Sequence, residues 1–186
     1  INTNHPETAI LYLQKALTIY QELEYSLGEA VVLHELSLAF HVLKEHTTAI
    51  EYSQQSIVIW EELQAYEQLA RSEENLANIY TVIRDYSKAI EYHQISLRRM
   101  RETQDKQGEA SVLGNLGNVY ALQKEYDVAI SYRKQSLSLN KEIGAIDSML
   151  WNLSCLGDAY IELQDYSTAI TYYEQQLNCK GTSRPI

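Results

Sequence analysis

Residues 112–137 read VLGNLGNVYALQKEYDVAISYRKQSL, and this stretch decides the fold. Leu113, Leu116, Val119 and Tyr120 stand at i, i+3, i+6 and i+7, the spacing of one apolar stripe on an α-helix. From Tyr126 onward Ala129, Ile130 and Leu137 share one face of a second helix. Only Lys124-Glu125 separate the two stripes, and so short a connection forces antiparallel neighbours. Glu125 places a negative charge near the N-terminus of the second helix, where the helix dipole favours it.

Working outward, the pattern repeats. Ala-Ile recurs at Ala9, Ala49, Ala89, Ala129 and Ala169, a period of 40 residues without slippage. Tyr12, Tyr52, Tyr92, Tyr132 and Tyr172 follow in the same register. Tyr86, Tyr126 and Tyr166 precede the alanine, with His46 in the earlier slot. Tyr80, Tyr120 and Tyr160 stand further upstream, with Phe40 before them. An acid, Glu45, Asp85, Glu125 or Asp165, marks each inner turn. Self-similarity at this period is the mark of a stacked array, whose units each bury their apolar face on a neighbour. Helices are expected at 6–25, 28–43, 46–64, 67–83, 86–105, 108–123, 126–144, 147–163 and 166–179. They form a single array over 1–186. The second helix of a first repeat lies at 6–25, full repeats at 26–65, 66–105, 106–145 and 146–179, and a tail at 180–186.

The alanine column lets two helices approach closely. The first helix of each unit offers a second small residue, Ser37, Ala77, Gly117 and Gly157. Each mid-helix glycine gives up ~1 kcal/mol of helix propensity, so close packing is its expected compensation. Overpacking either place would cost ~1–3 kcal/mol.

The chain has 186 residues with a formal net charge of -10, which argues against non-specific binding to nucleic acid or anionic membrane. Seven glycines and two prolines suit long helices, and 45% hydrophobic residues argue against disorder. Apolar runs are too short to span a membrane. No charged, then apolar, leader follows Ile1, so no signal peptide is expected in this stretch. Two cysteines, Cys155 and Cys179, are too few for a disulfide framework and imply reduced thiols in a cytoplasmic setting. The excess of tyrosine, 15 residues, follows from the repetition: most of them fill three positions of the unit. Tyrosine there is read as packing.

The in-register residues Leu116-Gly117, Tyr120, Tyr126, Ala129 and Tyr132, and Leu156-Gly157, Tyr160, Tyr166, Ala169 and Tyr172, resemble the tetratricopeptide repeat (TPR) family. The third unit matches from Leu76-Ala77 but carries Glu73 in a large-apolar slot, and the second is weaker. The resemblance covers about residues 6–178. The period is 40 rather than the common ~34, and no proline closes the second helix. The added length is expected to extend that second helix by one to two turns. Forty-residue units with Asn-Leu-Gly-Asn are similar to those of spindle-orienting G-protein-regulator adaptors and of bacterial, notably cyanobacterial, signalling proteins.

The resemblance implies an all-α, right-handed α-solenoid whose first helices line a concave peptide-binding groove. Helical phase puts Arg71, Glu74, Asn75, Asn78 and Thr81 on that face in the third unit, and Ser111, Gly114, Asn115, Asn118 and Leu122 in the fourth. Asn75/Asn78 and Asn115/Asn118 form i, i+3 pairs whose amides can donate to and accept from an extended backbone. Their other use is hydrogen bonding between repeats. Arg71, His34, His41, Trp151 and Asp158 would tune specificity.

Competing chemistries are weaker. His34-Glu35 opens a zinc-like string, but Leu38 stands where the second histidine is needed. Ser131 to Lys134 lacks companion motifs, and the Asn152-Leu153-Ser154 acceptor falls inside a helix. Arg98, Arg99 and Arg101 cluster near a helix C-terminus, where the dipole favours them or an anionic partner could. No acid/base pair, activated nucleophile or phosphate loop is present. The expectation is therefore a non-catalytic scaffold that binds a peptide or protein of unknown identity, without cofactor or metal. The alternative is a regulatory or oligomerising segment of a larger signalling protein, with end-to-end self-association through its uncapped ends.

Overall fold

The computed structural model describes residues 6–182, with side chains described over 7–179. Among the described residues there are nine α-helices and no strand: α1 (Pro6–Glu22), α2 (Ser26–Val42), α3 (His46–Glu62), α4 (Tyr66–Val82), α5 (Tyr86–Glu102), α6 (Lys106–Leu122), α7 (Tyr126–Ile143), α8 (Ile146–Glu162) and α9 (Tyr166–Thr182). The last helix continues through 180–182, part of the expected tail, and 183–186 lie outside the described residues. The chain divides into two compact units, Ile1–Arg99 and Met100–Ile186, the division falling within α5.

The helices are nearly equal. The expected lengthening of the second helix is not what forms: α4 and α5 each have 17 residues, and α6 and α7 have 17 and 18. The reason lies in the turns. A left-handed residue recurs every twentieth position, at Glu24, Lys44, Gln64, Arg84, Gln104, Lys124, Gly144 and Gln164. At each the chain closes its helix by the same two-bond cap. Lys124 N–H donates to the Ala121 carbonyl at 2.9 Å, and Glu125 N–H reaches back to the Tyr120 carbonyl at 2.9 Å. The 40-residue unit is thus halved, and its surplus length is shared by both helices.

The acids at the inner turns act unequally. Asp85 and Asp165 accept hydrogen bonds from Lys88 N–H at 3.2 Å and Thr168 N–H at 3.1 Å. Glu45 and Glu125 make no such side-chain cap. A carboxylate one methylene longer overshoots the N–H three residues on.

Within the first unit α1·α2, α2·α3 and α3·α4 pack pairwise, with α2 also touching α4. Leu36, Val32 and Ile10 form a core cluster there. Within the second unit α6·α7, α7·α8 and α8·α9 pack pairwise, and Ile130, Leu137, Leu153 and Leu156 are buried together. The alanines at 49, 89, 129 and 169 are buried, whereas Ala9 is exposed.

Tyrosines of two in-register columns pack on one another, whereas Tyr12 and Tyr166 of the same register are exposed. Phe40–Tyr52, Tyr80–Tyr92, Tyr120–Tyr132 and Tyr160–Tyr172 are stacked pairs with centroids 5.5, 5.7, 5.5 and 5.5 Å apart. Each pair ties the end of a first helix to the start of the second, and offset stacking of this kind adds ~0.5–1.5 kcal/mol beyond area burial. A second tie runs in the same register. Ser96 Oγ donates to the Ala70 carbonyl and Ser136 Oγ to the Ala110 carbonyl, each at 2.7 Å, and Gln176 Nε2 to the Leu150 carbonyl at 3.0 Å.

Candidate functional site

In the second unit α6, α7 and α8 surround a cavity of about 620 Å³. Asn115, Asn118 and Gly114 reach it from α6, Trp151 and Asp147 from α8, and Arg133, Ser136, Asn140 and Asn152 line it as well. Asn118 is exposed, Asn115 half-buried, and Trp151 is 65% exposed. A smaller cavity of about 180 Å³ adjoins the same helices, and Asn118, Arg133, Cys155 and Asp158 line it.

Beside these rims lies a connected polar network. Asn152 Nδ2 donates to Ser136 Oγ at 3.0 Å and to the Ser148 carbonyl at 3.0 Å. Asn140 Nδ2 donates to the same Ser136 Oγ at 3.2 Å, while that hydroxyl donates onward to Ala110. With both amide hydrogens of Asn152 committed, its Oδ1 is left to accept from Arg133 Nη1 at 3.3 Å. Arg133 is 6% exposed, and burial pulls its guanidinium below the usual arginine value. Gly117 makes room for it: a Cβ there would stand 2.8 Å from Arg133 Cγ, whereas one at Gly114 would make only an ordinary contact, 3.6 Å from Nη1.

The expected site residues divide. Asn115, Asn118 and Trp151 line the larger cavity, and Asp158 lines the smaller one, where it accepts from Tyr173 Oη at 2.7 Å. That bond to a carboxylate pushes the Tyr173 phenol up to about 12. In the first unit His34 and Arg71 line a separate pocket of about 120 Å³ with Val31, Glu35, Trp60 and Gln68. His34 Nδ1 is 3.0 Å from Ser72 Oγ, and burial lowers its pKa. Arg71 is exposed and pairs with Glu67 at 3.1 Å. Asn78 is half-buried.

One expectation is corrected. Asn75 is not a groove residue: it is 6% exposed and donates to Ser37 Oγ at 2.8 Å, which itself donates to the Ala49 carbonyl at 2.8 Å. The contact of α4 with α2 turns this amide into a tie between repeats. His41 packs on His46 at 5.4 Å, and burial, with His46 next, lowers its pKa.

Two arginines of the basic cluster of α5, Arg99 and Arg101, form ion pairs. Arg99 Nε donates to both oxygens of Glu73 at 2.9 and 3.0 Å, which explains the acid in an apolar slot. Arg101 Nε donates to Glu109 at 2.7 Å. Sequence reading missed Arg133, Ser136, Asn140 and Asn152. The signal that could have found Arg133 is a column: Leu13, Ser53, His93, Arg133 and Tyr173 change chemistry in every unit while the alanine beside them does not.

The tetratricopeptide repeat family model matches residues 68–142 and 108–180, together more than half of the chain. The chain belongs to the tetratricopeptide repeat family. No curated protein matches it. Among solved structures this TPR chain is similar to BtubC (BKLC) from P. vanneervenii, with 20% identity and a TM-score of 0.87, covering 97% of this chain and 76% of that one. It is similar to aspartyl phosphate phosphatase F from Bacillus subtilis, with 19% identity and a TM-score of 0.87, over 94% of this chain and 46% of that one. It is also similar to a Rap protein complexed with Competence and Sporulation Factor, with 18% identity and a TM-score of 0.80, over 93% of this chain and 48% of that one. The TPR chain thus spans less than half the length of the last two. These likenesses establish the fold, an all-α repeat solenoid. No described helix is long and apolar enough to cross a membrane.

Proposed function

We propose that the chain is a non-catalytic protein-interaction scaffold whose second unit holds an extended peptide or protein segment against α6 and α8. The observation that carries this reading is the cavity of about 620 Å³ rimmed by Asn115, Asn118 and Trp151. Amides that donate and accept suit a peptide backbone, and an exposed indole at the rim offers a stacking surface. A Rap protein of the same fold is solved in complex with Competence and Sporulation Factor, which supports a binding role for such an array. His34 and Arg71 in the first unit, with Asn78, would add contacts of their own. A fluorescence-polarisation screen with pools of acetylated, amidated octapeptides tests the reading. Asn118→Ala and Trp151→Ala should each weaken the pools that bind by about tenfold without changing the urea midpoint. Unchanged affinity in both variants would sink the assignment.

A second reading, an oligomerising segment, draws on apolar side chains left uncovered on the outer helices. Leu11, Tyr12 and Ile19 on α1 and Ile170 and Leu177 on α9 are all at least half exposed. Sedimentation velocity that shows only monomer at high concentration would remove it.

A further inference from the structure

We propose that Arg133 is the anion-recognition residue of the second unit, receiving a carboxylate carried by the bound segment. The inference deepens the peptide-binding reading and rests on it. A buried guanidinium needs a partner, because a charge taken out of water and left uncompensated is strongly unfavourable. The chain shows what a satisfied one looks like: Arg99, half-buried, meets both oxygens of Glu73 at 2.9 and 3.0 Å. Arg133 is more buried, yet among the described residues no carboxylate pairs with it. Its hydrogen bond is a long one, 3.3 Å, to the neutral Oδ1 of Asn152. A guanidinium carries five N–H donors, so most of its capacity is unspent. Its remaining nitrogens are not among the fully enclosed atoms that lack partners, and Arg133 lines both cavities.

Two nearby acids each accept a tyrosine hydrogen bond. Asp158 accepts from Tyr173 Oη at 2.7 Å and Glu162 from Tyr126 Oη at 3.1 Å. Asp147 lines the larger cavity, and the chain as a whole carries a formal net charge of -10. That field opposes every anion and a doubly charged phosphate most, so a singly charged carboxylate is the anion assigned to Arg133. The corresponding residue of the preceding repeat, His93, is fully buried with both ring nitrogens unpartnered, so it offers no such cation.

The test uses the same octapeptide pools with one central residue fixed as Glu, Asp, Gln, Asn or phosphoserine and the others randomised. Wild type should bind the Glu and Asp pools at least tenfold more tightly than the Gln and Asn pools. Arg133→Met should abolish that preference and Arg133→Lys retain part of it. A Gln-centred pool with a free C-terminal acid separates a terminal carboxylate from a side-chain one, and tighter binding of either supports the assignment. Equal binding of Glu and Gln pools, with or without the free acid, would overturn it while leaving the groove reading intact. So would a preference for phosphoserine, or an acidic preference that survives Arg133→Met. If no pool binds at all, both readings fall. Should Arg133→Met not fold, the wild-type comparison of Glu with Gln decides alone.

Discussion

Gly117 and Arg133 are shaped to one another: a Cβ on Gly117 would lie 2.8 Å from Arg133 Cγ and 3.1 Å from its Nε. The same relation holds one repeat later, where a Cβ on Gly157 would lie 2.6 Å from the Tyr173 ring. Earlier repeats pair Ser37 with Ser53 and Ala77 with His93 by register. The first-helix residue shrinks as the second-helix residue grows. Gly117→Ala should therefore lose about 1 kcal/mol, an overpacking cost partly offset by helix propensity. Gly114→Ala, whose Cβ would meet nothing nearer than Ser136 Oγ at 3.4 Å, should gain about 1 kcal/mol. Urea midpoints check both, and Gly117→Ala with Arg133→Ala should recover the loss of the single glycine change.

The turns offer a second check. Seven non-glycine residues hold positive φ at the helix ends, each at a conformational cost of ~1 kcal/mol relative to glycine. Lys124→Gly should raise the stability by about that amount. Gly144→Ala should lower it similarly, by conformation alone, since no atom lies within 4 Å of the added Cβ. Calorimetric melting of both variants reads the two signs.

His93 makes stability depend on pH. Burial lowers its pKa from 6.5 to about 4, and neither ring nitrogen has a partner. Between those values the unfolded chain binds more protons than the folded one. The stability from a neutral His93 is therefore full above pH 6.5 and is lost as pH falls toward 4. The difference corresponds to something on the order of 3 kcal/mol. His93→Leu should flatten this part of the profile in urea titrations from pH 7 to pH 4.5. A wild-type profile as flat as the variant's would refute it.

Asn75 and Asn118 should behave oppositely. Asn75→Ala removes a buried donor from Ser37 and should cost about 1–3 kcal/mol. Asn118→Ala, at an exposed position, should change stability by less than about 0.5 kcal/mol. Thermal melts of the two single variants distinguish a structural amide from a groove amide.

Much of the array was legible because its determinants are local. The apolar stripe around Leu113 and Leu116 and the stacking slots of Tyr120 and Tyr132 recur within a few helical turns, so their spacing alone reveals them. The equal helix lengths were less visible. Lys44, Arg84 and Lys124 take the left-handed conformation without being glycine, and no residue type announces it. Glu73 looked like a departure from pattern until its partner Arg99, 26 residues away, was in place.

The sequence by itself determined that helices form, where they turn and which stripe each buries, since side-chain periodicity and short connections leave little choice. Only the tertiary structure decided what each polar side chain does with its hydrogen bonds. Asn75 and Asn118 occupy neighbouring positions of the repeat. The α2–α4 contact buries the first against Ser37, while the second stays open to a cavity. Arg99 and Arg133 are both arginines on second helices, yet Arg99 meets a carboxylate and Arg133 meets an amide. Partners across a helix interface are set by packing, and packing depends on residues that lie far apart in the chain.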